Sequence, residues 1–236
     1  MNDIIISHLN KKFQLKDNDI EVINDLNLVI NTAQITVILG KSGCGKTTLL
    51  RILSKLETMD SGEIIYPKNY KSSFVFQEPR LMTWLSVRDN ISFGLKIKSD
   101  EQYEIVTNLI KMIGLSGFET AYPNQISGGM KQRVALARAL AIKPKLIYMD
   151  EPFAALDYFT RLNMQDELIK MYYETNCGLL FVTHNVDEAL RLAHKIVIIN
   201  KGEVIKEYSF TDNLMTRDVL SQEYIDIRKD ILAEIK

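Results

Sequence analysis

Hydrophobic positions near the start of the chain come in short runs: Ile4, Ile5 and Ile6, then Phe13, then Ile20, Val22 and Ile23. Leu26, Leu28 and Ile30 follow at every second position, the period of a strand with one buried face. That alternation suits an antiparallel sheet with one face in water. The apolar run 35–39 then reads as a strand, and Leu49, Leu50, Ile52, Leu53 and Leu56 behind it as a helix. Asp60-Ser61-Gly62 is a turn signal before a short strand at 63–66, and a further strand at 73–76 ends at Gln77.

From about residue 86 to 117 the period becomes helical. Within 101–113, Ile105, Leu109 and Met112 share one face, and Gly114 ends the run. Strand-like runs resume at 146–149, 179–182 and 196–199, with helix-length segments between them, and a last strand at 204–208 closes the core. This order predicts an α/β fold: a mixed, largely parallel core sheet, an N-terminal antiparallel β lobe and a helical subdomain over residues 83–142. The domain spans 1–208. A helical extension covers 209–236, where Ile227, Ile231 and Ile235 recur every fourth residue.

Composition narrows the classes. The 236 residues are 46% hydrophobic, enough for one large domain with a real core. With 29 basic against 30 acidic residues there is no broad cationic surface for nucleic acid. Two cysteines, Cys44 and Cys177, fit a reducing cytoplasm better than a disulfide. The N-terminus lacks the pattern of a signal peptide, and no uncharged run approaches the roughly 18 residues of a membrane span. A role at a membrane therefore requires a partner.

Chemistry enters at residues 40–48. Gly40, Lys41, Ser42, Gly43, Cys44, Gly45, Lys46, Thr47 and Thr48 lie between the predicted strand and helix, the context of a phosphate-binding P-loop. The glycines let successive N–H groups converge, and the helix dipole favours an anion there. Lys46 is placed for the β- and γ-phosphates of a nucleoside triphosphate, and the Thr47 hydroxyl for Mg²⁺. At Ser127, Gly128 and Gly129 a helix starts with an N-cap serine and bare glycines, suited to a phosphate presented from outside. The apolar face behind it comprises Met130, Val134, Ala137 and Ala141; taken alone, this is equally a capped surface helix. Asp150 and Glu151 emerge at the carboxyl end of the strand 146–149, where Asp150 suits Mg²⁺ and Glu151 suits a base for water. His184 ends another strand, placed for a γ-phosphate contact. Each of these also has a plain structural reading.

Together, and in this order, the motifs resemble the ATP-binding subunit of ABC transporters. Walker A falls at 40–48, the Q-loop at Gln77, the signature at 127–130, Walker B at 146–150, the D-loop at 155–157 and the H-loop at His184. The resemblance implies a head-to-tail homodimer closing on two ATP molecules with Mg²⁺. In that arrangement Ser127, Gly128 and Gly129 of one chain meet the γ-phosphate on the other chain's P-loop. It implies further that Glu151, His184, Gln77 and Lys46 serve hydrolysis, and that Thr47, Gln77 and Asp150 surround the metal. Asp157 joins the nucleotide site, and Phe13 stacks on adenine. The run 77–84, with Leu81, Met82 and the sole tryptophan, Trp84, resembles importers of the nitrate, sulfonate and taurine group. From it follow two membrane-spanning permease subunits docking near 77–84, a separate solute-binding protein, and a peripheral place on the cytoplasmic face of the membrane. Thr83, Ile126 and Asn185 depart from that group's usual residues without removing a catalytic group. A cluster-assembly ATPase is the alternative within the same superfamily; a GTP-binding switch is disfavoured because it has no use for the Ser127 motif.

Overall fold

The computed structural model describes residues 2–14, 18–95, 100–154 and 156–235. In chain order the strands are β1 (Asp3–Gln14), β2 (Asp19–Asn31), β3 (Ile35–Leu39), β4 (Ser61–Ile65), β5 (Ser72–Val75), β6 (Leu146–Asp150), β7 (Gly178–Thr183), β8 (Lys195–Asn200) and β9 (Glu203–Ser209). The α-helices are α1 (Lys46–Leu53), α2 (Val87–Ser92), α3 (Asp100–Met112), α4 (Gly128–Ala141), α5 (Tyr158–Thr175), α6 (Val186–Leu192) and α7 (Gln222–Ile235). They divide between two compact units, Met1–Tyr70 with Gly178–Lys236, and Lys71–Cys177. Ala155, expected in the D-loop, lies outside the described residues. Among the described residues no helix is long and apolar enough to cross a membrane.

In the first unit β1 pairs antiparallel with β2 and with β4. The alternation at the start of the chain acts as expected: Ile4, Ile6, Leu26, Leu28 and Ile30 are buried while Val29 and Ile65 face out. β3 is buried along its whole length and pairs in parallel with β7 and β8; β9 turns back antiparallel on β8, giving the order β7-β3-β8-β9 in this unit. α1 packs on β7 and α6 on β3. This core of β-branched and leucine side chains holds the carboxyl ends of β3 and β7 side by side.

In the second unit β5 and β6 pair in parallel, and α2, α3 and α5 pack on α4. Two helical faces differ from the pattern predicted by sequence. On α3 the buried stripe is Val106, Leu109 and Ile110, continued by Ile113, whereas Ile105 and Met112 sit half-buried at its flanks. On α4 the residues Val134, Ala135, Leu136, Ala137, Ala139, Leu140 and Ala141 are all buried, so the helix has no single apolar face. Its alanines allow β5 and three helices to approach from different sides at once. In the extension, Tyr224 and Ile231 are the buried anchors of α7 and Ile227 is half-buried.

Candidate functional site

The first unit builds a tight glycine-rich loop at the end of β3. A Cβ on Gly40 would lie 2.3 Å from the Ile199 carbonyl oxygen and 2.6 Å from the Cys44 sulfur, so only glycine fits. Gly45 precedes α1 with φ of 103°, and a Cβ there would meet the Val22 carbonyl oxygen at 2.5 Å. No side chain caps α1, which leaves its N-terminal dipole turned to the loop. Lys46 is only 5% exposed; its ammonium donates to the carbonyl oxygens of Gly40 (2.9 Å) and Lys41 (2.8 Å). A buried cation is tolerated when its donors are satisfied, and here those bonds also hold the loop in shape. Lys41, Ser42 and Gly43 form the exposed rim, Cys44 is a buried free thiol, and Thr47 and Thr48 are half-buried in the first turn of α1. These features suit a polyphosphate.

His184 belongs to the same edge. Thr183 pairs with Leu39 across β3 and β7, so His184 follows β7 as Gly40 follows β3. The histidine is exposed. Next to it, Asn185 caps α6, its Oδ1 accepting from the backbone N–H groups of Asp187 (2.9 Å) and Glu188 (3.4 Å). Phe13 pairs with Ile20 on β2, two residues before the Val22 carbonyl that lies under Gly45. Its ring is half-open, with the Lys11 ammonium 5.0 Å from the centroid.

The second unit carries the acidic pair and the open helix start. Asp150 ends β6 and is buried; Glu151 is half-buried with φ of 43°, a left-handed backbone that costs a non-glycine residue about 1–3 kcal/mol and is concentrated at functional sites. Ser127 caps α4, its Oγ accepting from the Met130 N–H at 3.3 Å, and Gly128 is exposed beside it. Gly129 is buried: a Cβ there would come within 2.8 Å of the Thr160 side chain on α5. Asp157 caps α5 by accepting from the Thr160 N–H at 3.1 Å, and hydrogen bonds from Thr160 hold its carboxyl below the usual range. The starts of α4 and α5 thus adjoin each other. They border a cleft of about 330 Å³ lined by Ser127, Gly129, Arg133, Thr160, Glu167 and Lys170, among others.

Gln77 is exposed two residues beyond β5, at the head of a braced turn. Arg138 of α4 donates to the carbonyl oxygens of Pro79 and Arg80, both at 2.9 Å, and the Arg80 guanidinium stacks on Phe76 at 3.9 Å. Asn90 of α2 accepts from the Met82 N–H at 2.8 Å and donates to the carbonyls of Met82, Leu85 and Ser86 at 3.0–3.1 Å. Leu81 and Met82 are half-buried, but Trp84 is 70% exposed and therefore not a core residue. Sequence reasoning missed Asn90, Arg138 and Thr160. Nothing in a local pattern marks an asparagine or arginine that binds distant carbonyls.

A family model described as "ABC transporter" matches residues 23–154. An ABC transporter ATP-binding protein of Methanocaldococcus jannaschii, described as uncharacterised, is 42% identical, covering 98% of this chain and 90% of its own length. A Bacillus cereus protein named aliphatic sulfonates import ATP-binding protein SsuB is 36% identical over 99% of this chain and 96% of its own. Among solved structures, the ATP-binding cassette MJ0796, a dimer bound to ADP and Pi in a post-hydrolysis state, superposes with a TM-score of 0.77 at 30% identity. That alignment covers 89% of this chain and 99% of the cassette.

Proposed function

The chain is a member of the ABC transporter family of ATP-binding subunits, an ATPase, and we propose that it powers import of a small solute of the nitrate, sulfonate or taurine kind. The observation that carries the reading is the cradle at 40–46, in which Gly40 and Gly45 admit no Cβ and Lys46 is already seated on the loop carbonyls. The choice of solute rests on the aliphatic sulfonate importer at 36% identity and on the run 77–84.

In this proposal Lys46, the loop N–H groups and the dipole of α1 bind the triphosphate, and Phe13 stacks on the adenine ring. Thr47, Asp150 and Gln77 would hold Mg²⁺, which supplies charge neutralisation at the β- and γ-phosphate oxygens. Oxygen donors suit that hard cation. Glu151 accepts the proton of the attacking water, and His184 contacts the γ-phosphate. Ser127, Gly128, Gly129 and Asp157 complete the nucleotide site of a second copy in a head-to-tail dimer. The braced turn carrying Trp84 receives a permease subunit, two of which, with a separate solute-binding protein, make up the importer. The subunit then sits peripherally on the cytoplasmic face of the membrane.

The decisive variant is Glu151→Gln. Loss of a general base lowers turnover by about 10²–10⁴-fold. ATP still binds, so the variant should accumulate as an ATP-bound dimer visible by sedimentation. Near-normal hydrolysis by this variant would remove Glu151 from the mechanism.

A further inference from the structure

We propose that Arg217 is a positioning residue for His184, and that the extension after β9 acts as a brace on α6. The inference rests on His184 contributing to hydrolysis as described above. α6 is 7 residues long, too short to be stable alone, so tertiary contacts at its ends decide where it sits. At its start, Thr183 Oγ1 donates to Glu188 Oε2 at 2.7 Å and accepts from the Asn185 N–H at 3.1 Å. These bonds, with the Asn185 cap, join the end of β7 to the first turn of α6. His184 lies between the two joined residues and follows any shift of the helix.

The other end of α6 is held by the extension. Arg217 has a side chain only 1% exposed; one guanidinium nitrogen donates to the carbonyl oxygens of Leu190 (2.8 Å) and Ala193 (2.7 Å). Carbonyls in the last turn of a helix have no intrahelical partner, and Arg217 supplies one to Leu190 in that turn and pairs Ala193, the residue that caps it. Its remaining edge makes a two-point contact with Asp212, both bonds 2.8 Å, and the Tyr224 hydroxyl donates to the same carboxylate at 2.9 Å. Phe210 and Tyr224 stack at 5.4 Å, with the guanidinium 5.0 and 5.5 Å from their centroids. A second link grips the first turn: Arg228 of α7 donates to Asp187 at 2.8 and 3.3 Å. The extension therefore holds α6 at both ends. A planar fork with this many directed bonds fixes orientation as well as distance, which lysine cannot reproduce.

The test compares Arg217→Ala, Arg217→Lys and Arg228→Ala with the parent, each also combined with His184→Ala, in single-turnover and steady-state ATPase assays. Amide hydrogen exchange is read across 185–189. A small displacement of a group that contacts the reacting phosphate lowers the rate without weakening binding. Arg217→Ala should therefore reduce kcat by about 10-fold with KM for ATP changed less than about 2-fold, and raise exchange at 187–189. Arg217→Lys should recover part of the rate. In the His184→Ala background Arg217→Ala should cost nothing more. An equal fold-loss in both backgrounds, or an unchanged kcat, overturns the proposal. If Arg217→Ala does not fold, Arg228→Ala probes the same brace through a half-exposed ion pair, with an expected loss of about 2- to 3-fold in kcat that vanishes in the His184→Ala background. An unchanged kcat there also overturns it. Normal hydrolysis by His184→Ala alone is a separate outcome: it removes His184 from the reaction and the brace from any part in it.

Discussion

Gly40 shows how little freedom the nucleotide loop has. Its absent side chain faces a backbone carbonyl, that of Ile199, as well as the Cys44 sulfur, and β8 carries that carbonyl in its buried stretch 196–199, paired on both sides by β3 and β9. Backbone in such a sheet cannot retreat by the ångström a methyl group requires, so Gly40→Ala forces the loop itself to move. The expected cost is about 1–3 kcal/mol in urea unfolding, with nucleotide binding lost because Lys46 bonds the Gly40 carbonyl. Gly128 provides the contrast, because no atom lies near its would-be Cβ. Gly128→Ala should fold with parental stability, and an equal destabilisation at both positions would contradict the cradle.

Among the elements, α2 and α4 do the holding and the turn at 79–86 is what they hold. Asn90 is 0% exposed, accepts the Met82 N–H and shares its two amide hydrogens among the Met82, Leu85 and Ser86 carbonyls. Met82 and Ser86 also accept backbone N–H groups, so the Met82 N–H and the Leu85 carbonyl are the groups that it alone pairs among the described residues. Leaving buried polar groups without partners costs about 1–3 kcal/mol each. Asn90→Ala should therefore lower stability by about 3 kcal/mol and make the turn a site of early proteolysis. Cleavage elsewhere first would argue against this account. The same turn shows what a sequence conveys. Strands such as β3 and the P-loop after it are legible because period and spacing are local. The burial of α4 on several sides, the bond from Arg138 to Pro79, and the grip of Arg217 on α6 were not legible. In each, the partner lies far along the chain and no periodicity links the two. Even the apolar stripe of α3 was read one residue early, because Ile105 and Val106 are equally apolar and only packing chooses between them.

For the molecule as a whole, the exposed surface matters as much as the cradle. Trp84 leaves 70% of its surface open on a turn that Arg138 and Asn90 keep rigid. A large aromatic carried on a braced backbone contributes strongly to binding, because less backbone entropy is lost on association. The same arginine ties this turn to α4, the helix capped by Ser127, so force applied at Trp84 has a direct route to that helix. Trp84→Ala should leave ATP affinity of the isolated subunit at the parental value. Loss of a buried tryptophan anchor costs about 2 kcal/mol or more, roughly 30-fold in affinity for the permease. Co-purification with the membrane complex measures that loss, and a Trp84→Phe variant should restore much of it. Full recovery of the complex with Trp84→Ala would place the docking surface elsewhere. A fall in ATP affinity would instead show that Trp84 supports nucleotide binding rather than docking alone.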